Sequence, residues 1–244
     1  MEYFKLDYIL ELFLGGLTRG SIYALIALGY TMVYGIIELI NFAHGEIYMI
    51  GAFTALIVIG VLTLLGWNTV AILILAALIA VIYSMAYGYT MEKIAYKPLR
   101  TAPRLSALIS AIGVSLFLQN YVLLAQTSDF QPFPALIPKF DFLEGYEHII
   151  SSPEIVIFAT TAIVMILLTI LIKFTRIGKA MRATSQDKVM AALVGINVNS
   201  VISVTFVVGS ATAALGGVLI ASHVGQINFY IGFIAGIKAF VAAV

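Results

Sequence analysis

The chain has 244 residues, of which 62% are hydrophobic and only 10% charged, and its formal net charge is +1. A soluble domain carries about 25% charged and about 45–50% apolar residues, so this composition excludes an ordinary soluble domain, and the near-zero charge gives no reason to expect a nucleic-acid partner. Cysteine is absent, which excludes disulfides, thiolate nucleophiles and cysteine metal sites.

Seven apolar segments follow one another along the chain, and a membrane-spanning helix needs about 20 predominantly apolar residues. The N-terminus, MEYFKLDYILELF, has no basic region followed by a small-residue cleavage site, so we expect no cleaved signal peptide. We therefore predict one all-α domain over residues 1–244, a polytopic bundle of membrane helices. The predicted spans cover about 8–38, 45–66, 69–91, 105–126, 153–174, 201–223 and 231–244.

One apolar run, GSIYALIALGYTMVYGIIELINFAHGEIYMIG, contains a cluster of polar side chains. Glu38, Asn41, His44 and Glu46 fall within nine residues of it. A charged side chain at membrane depth costs roughly 2.5–3.5 kcal/mol on insertion scales, so such groups usually face a cavity or a partner. We predict a membrane helix that is broken near residues 39–46, with these polar groups facing a substrate pathway.

Each of these polar residues also has an interpretation that needs no substrate. His44 could be buried and satisfied by Asn41, and Glu46 could stabilise the start of the following helix, where an acid is favoured. Glu38 could lie at the membrane surface. Lys238 is a fifth pathway candidate, and it could instead extend to the membrane interface or pair with Glu46 across the bundle.

The charges of the loops predict the orientation of the chain. Residues 92–104 and 173–188 are rich in Lys and Arg, whereas residues 127–152 carry more acidic than basic residues. Short loops rich in Lys and Arg remain in the cytoplasm. We therefore place 92–104 and 173–188 inside and 127–152 outside, which puts the N-terminus outside. The proline-containing outer loop is either a plain connector or a docking surface for an external partner.

Small residues recur at a spacing of four in several spans, which places them on one helix face and lets backbones approach closely. Such rows predict close helix packing or a subunit interface, although membrane helices are in general rich in Gly and Ala. The rows comprise Gly209, Ala213 and Gly217; Ala107, Ala111 and Ser115; Gly16 and Gly20; and Gly232 and Gly236.

The basic loop on the inner side continues into a short helix with an apolar face. Thr184 and Asp187 match a T-x-x-D capping pattern, and Gly195 fits the position that follows a helix end. Val189, Met190, Leu193 and Val194 give this helix an apolar face. It is either a segment that inserts into a cleft of another protein or an interfacial helix on lipid.

The sequence lacks the motifs of several kinds of active site. There is no G-x-x-x-x-G-K-[ST] phosphate loop, so the chain has no means of cradling ATP by that route. There is no H-E-x-x-H or G-x-S-x-G motif, and His44, His148 and His223 lie far apart. We expect no enzyme, no metal site and no cofactor bound by this chain.

Two stretches resemble a known family. The run GSIYALIALGYTMVYGIIELINFAHGEIYMIGAF is similar to the signature of LivH-type permeases, the branched-chain amino-acid subunits of bacterial and archaeal ABC importers. GKAMRATSQDKVMAALVGINVNSVISVTFVVGSATAALGGVL resembles the cytoplasmic coupling region of that family, and GFIAGIKAFVAAV resembles a later part of it. The resemblance covers nearly the whole chain in order.

The resemblance implies a function for each stretch. It implies that residues 185–195 insert into a groove of an ATP-binding subunit and that residues 41–46 lie beside the translocation path. We therefore assign coupling to the ATPase to a set of seven residues. They are Thr184, Ser185, Gln186, Asp187, Met190, Leu193 and Gly195.

The resemblance also implies an assembly. The partners would be a second, LivM-like permease subunit, two ATP-binding cassette subunits that use the ATP, and a periplasmic or extracellular solute-binding protein, all at a bacterial or archaeal cytoplasmic (inner) membrane. In that family the polypeptide continues beyond the AAV at 242–244, so we expect further C-terminal helices to be missing from this sequence.

The sequence is also compatible with other functions. A permease for urea or short amides belongs to the same superfamily, and an ion-coupled secondary transporter would also use broken helices with polar groups at the midplane. An intramembrane enzyme would use His44 and Glu46 for acid–base chemistry. A purely structural subunit would tolerate apolar replacement of Asn41, His44 and Glu46.

Overall fold

The computed structural model describes residues 2–38, 41–100, 102–138 and 150–243. Almost all regular structure in this part of the chain is helical, and two two-residue strands accompany the helices. In chain order the elements are α1 (Glu2–Ile37), α2 (His44–Leu64), α3 (Thr69–Met91), α4 (Arg104–Ala125), β1 (Gln131–Pro132), α5 (Ser152–Phe174), α6 (Arg176–Gln186), α7 (Lys188–Leu193), α8 (Val198–Val224), β2 (Gln226–Ile227) and α9 (Ile231–Ala243).

Six of these helices are long and apolar enough to cross a membrane: α1, α2, α3, α4, α5 and α8. This confirms the predicted class, an all-α polytopic membrane bundle. The predicted span 45–66 is observed as His44–Leu64, and the predicted span 201–223 as Val198–Val224. The last segment, α9, is a shorter apolar helix of 13 residues within the described range.

Helix α8 forms the centre of the bundle. In its most apolar window 72% of the residues are buried, compared with 22% for α3 and α5, whose remaining surfaces suit lipid. Small residues allow this central position, because neighbouring backbones touch α8 directly. A Cβ added to Gly217 would collide with the carbonyl oxygen of Tyr48, and one added to Gly51 would lie 2.7 Å from the Cα of Ala214.

The row Gly209, Ala213 and Gly217 lies on the face of α8 that packs against α1 and α2. A Cβ on Gly209 would lie 3.3 Å from the carbonyl oxygen of Gly29 on α1, and Ala213 is fully buried. The spacing of four thus matches a line of close helix contacts at the centre of the bundle.

Both basic segments lie at one end of the bundle, together with the end of α1. Lys188 donates a hydrogen bond of 3.3 Å to the carbonyl oxygen of Ile37, the last residue of α1. Arg100, which follows α3, bonds to Asn199 in the first turn of α8. Because 92–104 and 173–188 are the segments predicted to be cytoplasmic, we refer to this end as the inner end.

Helix α3 changes geometry at the inner end. It continues from Met91 into a π-helical turn, Glu92–Tyr96, and then a 3₁₀ turn, Lys97–Leu99. Glu92 is fully buried, forms an ion pair with Arg100 and accepts a hydrogen bond of 2.7 Å from the hydroxyl of Ser203 on α8. This cluster joins the end of α3 to the beginning of α8.

The opposite, outer end is joined by β1 and β2, which pair in antiparallel register with Gln131 opposite Ile227. Phe133 is buried, and its backbone N–H donates to the carbonyl oxygen of Gly225, whose φ of 74° is left-handed. The beginning of the predicted outer loop is therefore packed on the α8–α9 connection. Its remaining part, residues 139–149 with His148, lies outside the described residues.

One local prediction is wrong. The T-x-x-D pattern does not cap a single helix, because Thr184 lies inside α6, is buried and donates its hydroxyl to the carbonyl oxygen of Ala180. Asp187 instead separates α6 from α7 and is itself the N-cap of α7. Its carboxylate accepts from the backbone N–H groups of Val189 and Met190 at 2.8 and 2.9 Å. An extended backbone at Asp187 ends one helix and starts the next.

The end of α7 agrees with its prediction. Gly195 has a φ of 87°, and its N–H donates to the carbonyl oxygen of Ala192. A left-handed residue that follows a helix favours glycine, because a Cβ is disfavoured there.

Candidate functional site

The break between α1 and α2 contains the polar cluster predicted from the sequence. Helix α1 ends at Ile37, and Glu38 has a φ of 61°, a left-handed conformation that is uncommon for a residue with a side chain. The chain then returns into the bundle. Asn41 is buried and accepts a hydrogen bond of 2.6 Å from the hydroxyl of Tyr96, and α2 begins at His44.

The start of α2 lies inside the membrane-spanning layer. Glu46 accepts a hydrogen bond from Ser115 on α4, and His44 lies against Gly209 on α8. Each of these two contact residues is eleven residues from the inner end of its helix. At 1.5 Å per residue this depth is about 17 Å, near the middle of a hydrocarbon core of about 30 Å. The helix break is therefore within the membrane, where buried protein groups can satisfy it.

The carboxylate of Glu46 is fully buried and held by α4. Its Oε1 accepts hydrogen bonds from the hydroxyl of Ser115 at 2.9 Å and from the amide of Gln119 at 2.8 Å. Its Oε2 has no hydrogen-bond partner in the described part of the chain. Glu46 lies in the first turn of α2, as one interpretation expected, but its carboxylate is engaged by another helix.

The imidazole of His44 fills a space left by glycine. A Cβ on Gly29 of α1 would lie 2.5 Å from its Nε2, and one on Gly209 of α8 would lie 3.4 Å from its Cε1. The ring also packs edge-on against Tyr30, with 4.7 Å between the ring centroids. The interpretation that the Asn41 side chain forms a hydrogen bond with the His44 imidazole is wrong, because the Asn41 side-chain oxygen accepts from the hydroxyl of Tyr96 instead.

Helices α2 and α9 close against each other at three glycines. A Cβ on Gly232 would lie 2.6 Å both from Oε2 of Glu46 and from the carbonyl oxygen of Gly45, and one on Gly236 would lie 3.1 Å from the Cα of Gly45. We call Gly45, Gly232 and Gly236 the glycine contact. It brings two backbones together beside the unpartnered oxygen of Glu46, so the polar cluster is sealed on this side.

Two of the five pathway candidates lie apart from this cluster. Glu38 is exposed at the inner end, where its Oε1 is 3.9 Å from Nζ of Lys188. Lys238 is exposed on α9, and its Nζ lies 5.5 Å from the centroid of the Tyr23 ring. The predicted pairing of Lys238 with Glu46 is therefore not observed, because Lys238 extends toward α1 while Glu46 is held by α4.

One coupling residue is buried in α6, and others are exposed at the end of α6 and in α7. Thr184 is buried in α6, whereas Ser185 and Gln186 are exposed at its end. In and beside α7, Val189, Met190, Leu193 and Val194 are 61–76% exposed. Such an apolar surface on a six-residue helix at the inner end suits a protein partner, and we call these four residues the α7 surface.

Sequence reasoning missed several residues that the bundle brings to the site. Gln119 escaped notice although it is a polar residue in the middle of an apolar span. Ser115 was noticed only as a small packing residue, and Tyr96 as part of a basic loop. In the described ranges no group of three His, Asp or Glu residues could hold a metal ion.

The hydrogen bonds to Glu46 lead to a first prediction. Gln119→Leu is expected to lower the stability of the folded protein by about 1–2 kcal/mol, since it removes a hydrogen bond to a buried carboxylate between two helices. Thermal unfolding in detergent would measure this. The matched control is Asn120→Leu, because the exposed Asn120 amide bonds to the carbonyl oxygen of Leu116 on its own helix and, among the described residues, to no other helix. Equal effects of the two variants would contradict the described Glu46 site.

Comparison with known proteins gives consistent matches. Residues 12–244 match the family described as branched-chain amino acid transport system / permease component. The chain is 51% identical to the high-affinity branched-chain amino acid transport system permease protein BraD of Pseudomonas aeruginosa, over 98% of this chain and 80% of that protein. It is 48% identical to the corresponding permease protein LivH of Salmonella typhimurium and of Escherichia coli K12, in each case over 97% of this chain and 78% of the relative. No solved structure matches the chain.

Proposed function

Since this chain belongs to the family of permease components of branched-chain amino acid transport systems, we propose that it forms part of the membrane channel through which an ATP-driven importer moves leucine, isoleucine and valine. It is a multi-pass membrane protein and a transport subunit, and it is not an enzyme. We place it in the cytoplasmic membrane of a bacterium, where it would receive its substrate from a binding protein on the outer side.

The proposed importer has further subunits. A second permease chain would complete the channel, and two ATP-binding subunits would supply the energy, because this chain has no phosphate loop and would itself bind no cofactor. The observation that carries this part of the proposal is the α7 surface. Four apolar side chains that are 61–76% exposed at the inner end match a groove of a partner protein.

The contacts of α7 supply a route from such a partner to the helix break. Lys188 is the first residue of α7; it donates to the carbonyl oxygen of Ile37 and lies 3.9 Å from Glu38. Three residues beyond Glu38, Asn41 begins the buried polar cluster. A displacement of α7 would therefore pull on the end of α1 and on the segment that leads into α2.

The polar cluster is the proposed control point of the path. Here α2 starts about halfway through the membrane, and the glycine contact closes it against α9. Backbone contacts at glycines separate without displacing side chains, so a small movement of α9 would uncover the Glu46 oxygen and the rings of Tyr30 and His44. We propose that this opening admits the amino acid when the ATP-binding subunits close.

The test is assembly and transport by the complete importer. Leu193→Asp is expected to abolish co-purification of the ATP-binding subunits and ATP-dependent uptake of radiolabelled leucine, because it places a charge in the centre of the α7 surface. The matched control is Ile177→Asp on α6, where the same change affects a side chain that is 48% exposed and lies outside α7. We expect this control to retain assembly.

Three outcomes would contradict the proposal in different ways. Retention of the ATP-binding subunits by Leu193→Asp would mean that the α7 surface does not bind them. Uptake of urea or short amides in place of leucine would overturn the substrate. Movement of solute down its gradient by the chain without any ATP-binding subunit would support a secondary transporter.

A further inference from the structure

A cavity of about 400 Å³ opens at the outer end of the bundle. Helices α1, α2, α8 and α9 line it, together with the connections at the outer end. Volumes of about 300–1,000 Å³ are typical of small-molecule sites. Its lining is mainly apolar or aromatic and includes Arg19, Tyr23, Tyr48, Ile220, Asn228 and Ile234.

The cavity adjoins the site described above. Tyr48 and Ala235 belong to it, and they lie within one turn of Glu46 and Gly232 on the same helices. Both are almost fully buried, so the cavity reaches into the bundle. Gly45, Gly232 and Gly236 do not line it, so we take the cavity as the outer half of the proposed path, on the outer side of the glycine contact.

Arg19 gives the cavity its charge. Arginine is rare in apolar spans and usually marks a functional site. The side chain is exposed, and no hydrogen bond or ion pair joins it to any residue in the described ranges. A second cation is close, because Lys238 extends its Nζ over the ring of Tyr23, which also lines the cavity.

No acidic residue of the described ranges lines the cavity to offset these cations. In the described ranges, Glu154 on α5 is an acid that interacts electrostatically with the same residue as Arg19, namely His223. Its carboxylate already accepts a hydrogen bond of 2.7 Å from the backbone N–H of Ser151, in the capping box of α5. The cavity thus combines apolar walls with a guanidinium that has no hydrogen-bond or ion-pair partner in the described ranges.

We propose that this cavity is an outer waiting site that holds an amino acid before the glycine contact opens. Arg19 binds the carboxylate of the amino acid, because its planar guanidinium donates two parallel hydrogen bonds to a carboxylate. The apolar side chain lies against Ile220, Ile231 and Ile234. This inference rests on the proposed function, and it assigns recognition of the carboxylate group to this chain.

The experiment uses the complete importer in lipid nanodiscs, without ATP and without the binding protein. Radiolabelled leucine is the probe. Two compounds compete with it: 4-methylpentanoate, which keeps the carboxylate and lacks the amine, and 3-methylbutylamine, which keeps the amine and lacks the carboxylate. We expect the acid to displace leucine at a concentration at least tenfold lower than the amine requires.

Variants test the assignment to Arg19. Arg19→Gln is expected to weaken leucine binding at least tenfold and to remove the preference for the acid, and Arg19→Lys to recover part of both. Ile234→Trp, which fills the cavity without changing charge, is expected to weaken leucine and the acid alike. Arg176→Gln, which changes an exposed arginine at the inner end, is the control and is expected to bind as the wild type does.

The possible failures can be told apart. If the wild-type importer accumulates leucine but Arg19→Gln equals it in leucine binding and competitor preference, the waiting site is overturned while the proposed function stands. If Arg19→Gln instead raises only the concentration of binding protein that half-stimulates ATP hydrolysis, Arg19 contacts that protein, and the waiting site is again overturned. If the wild type hydrolyses ATP but neither binds nor accumulates leucine, the proposed function itself fails.

Discussion

Gly217→Ala is expected to lower the stability of the folded protein by about 1–3 kcal/mol, and Gly217→Leu to prevent folding into a single species. An added Cβ would collide with the carbonyl oxygen of Tyr48 and would lie 3.3 Å from the backbone nitrogen of Ala52. These are backbone atoms of α2, so no side chain can move aside, and α2 and α8 would have to separate. Separation would also displace Glu46 from Ser115 and Gln119.

Thermal unfolding in detergent measures this loss, and about 1–3 kcal/mol corresponds to about 2–12 °C for a chain of this size. The matched control is Gly113→Ala in α4, where an added Cβ has no other atom within 4 Å. That control is expected to be neutral or slightly stabilising, because alanine is the better helix former by up to about 1 kcal/mol. A melting temperature for Gly217→Ala equal to that of the control would contradict the close approach of α2 and α8.

Glu92→Ala is expected to cost about 3–5 kcal/mol and to abolish leucine uptake, because it removes one partner of a buried ion pair. Glu92 is fully buried, and the Arg100 side chain is only 15% exposed. The loss would leave Arg100 with its bond to Asn199 alone and would release Ser203, so that α3 is no longer joined to the start of α8. Helix α7 leads directly into that part of α8.

A double-mutant cycle with Arg100 separates the effect of the unpaired charge from the effect of the lost packing at Glu92. Glu92→Ala with Arg100→Met is expected to recover part of the stability, since it leaves no unpaired charge. Lys93→Ala is the control, because Lys93 is exposed and its Nζ lies over the ring of Tyr89, 4.6 Å from the centroid. Equal losses from Glu92→Ala and Lys93→Ala in thermal unfolding would show that the buried pair has no special role.

The helices and the break could be predicted from the sequence because hydropathy is a property of consecutive residues. An apolar run of about 20 residues has few alternatives to a membrane helix, and polar residues in the middle of such a run need a protected environment. Gly195 was equally readable, because a left-handed position after a helix favours glycine. These features depend on neighbours in the chain.

The partners of the polar residues could not be predicted, because they depend on how the helices rotate and cross. Ser115 and Gln119 lie 69 and 73 residues from Glu46 in sequence, and no local pattern connects them. Pairing of Lys238 with Glu46 was one alternative, suggested by charge alone, whereas the rotation of α9 directs Lys238 toward Tyr23. Arg19 could have been noticed as a cation in an apolar span, but its neighbours across the cavity could not.

The T-x-x-D pattern failed for a different reason. Thr184 and Asp187 both favour helix N-termini, and the pattern does not say which of the two is the cap. Burial decided the question, since Thr184 is buried and its hydroxyl donates to the carbonyl oxygen of Ala180 in its own helix. Asp187 remained exposed and free to accept from two backbone N–H groups of α7.

Helices α2 and α9 begin at the same depth in the bundle, and this has an electrostatic consequence. The first turns of α2 and α9 meet at Gly45 and Gly232, and each helix N-terminus carries a partial charge of about +0.5 from its aligned peptide dipoles. Together they provide close to one positive charge beside the carboxyl group of Glu46, which has no Lys or Arg partner among the described residues. A movement of α9 away from α2 would therefore remove half of this compensation, so the helix dipoles themselves link the position of α9 to the Glu46 carboxyl group in the proposed path.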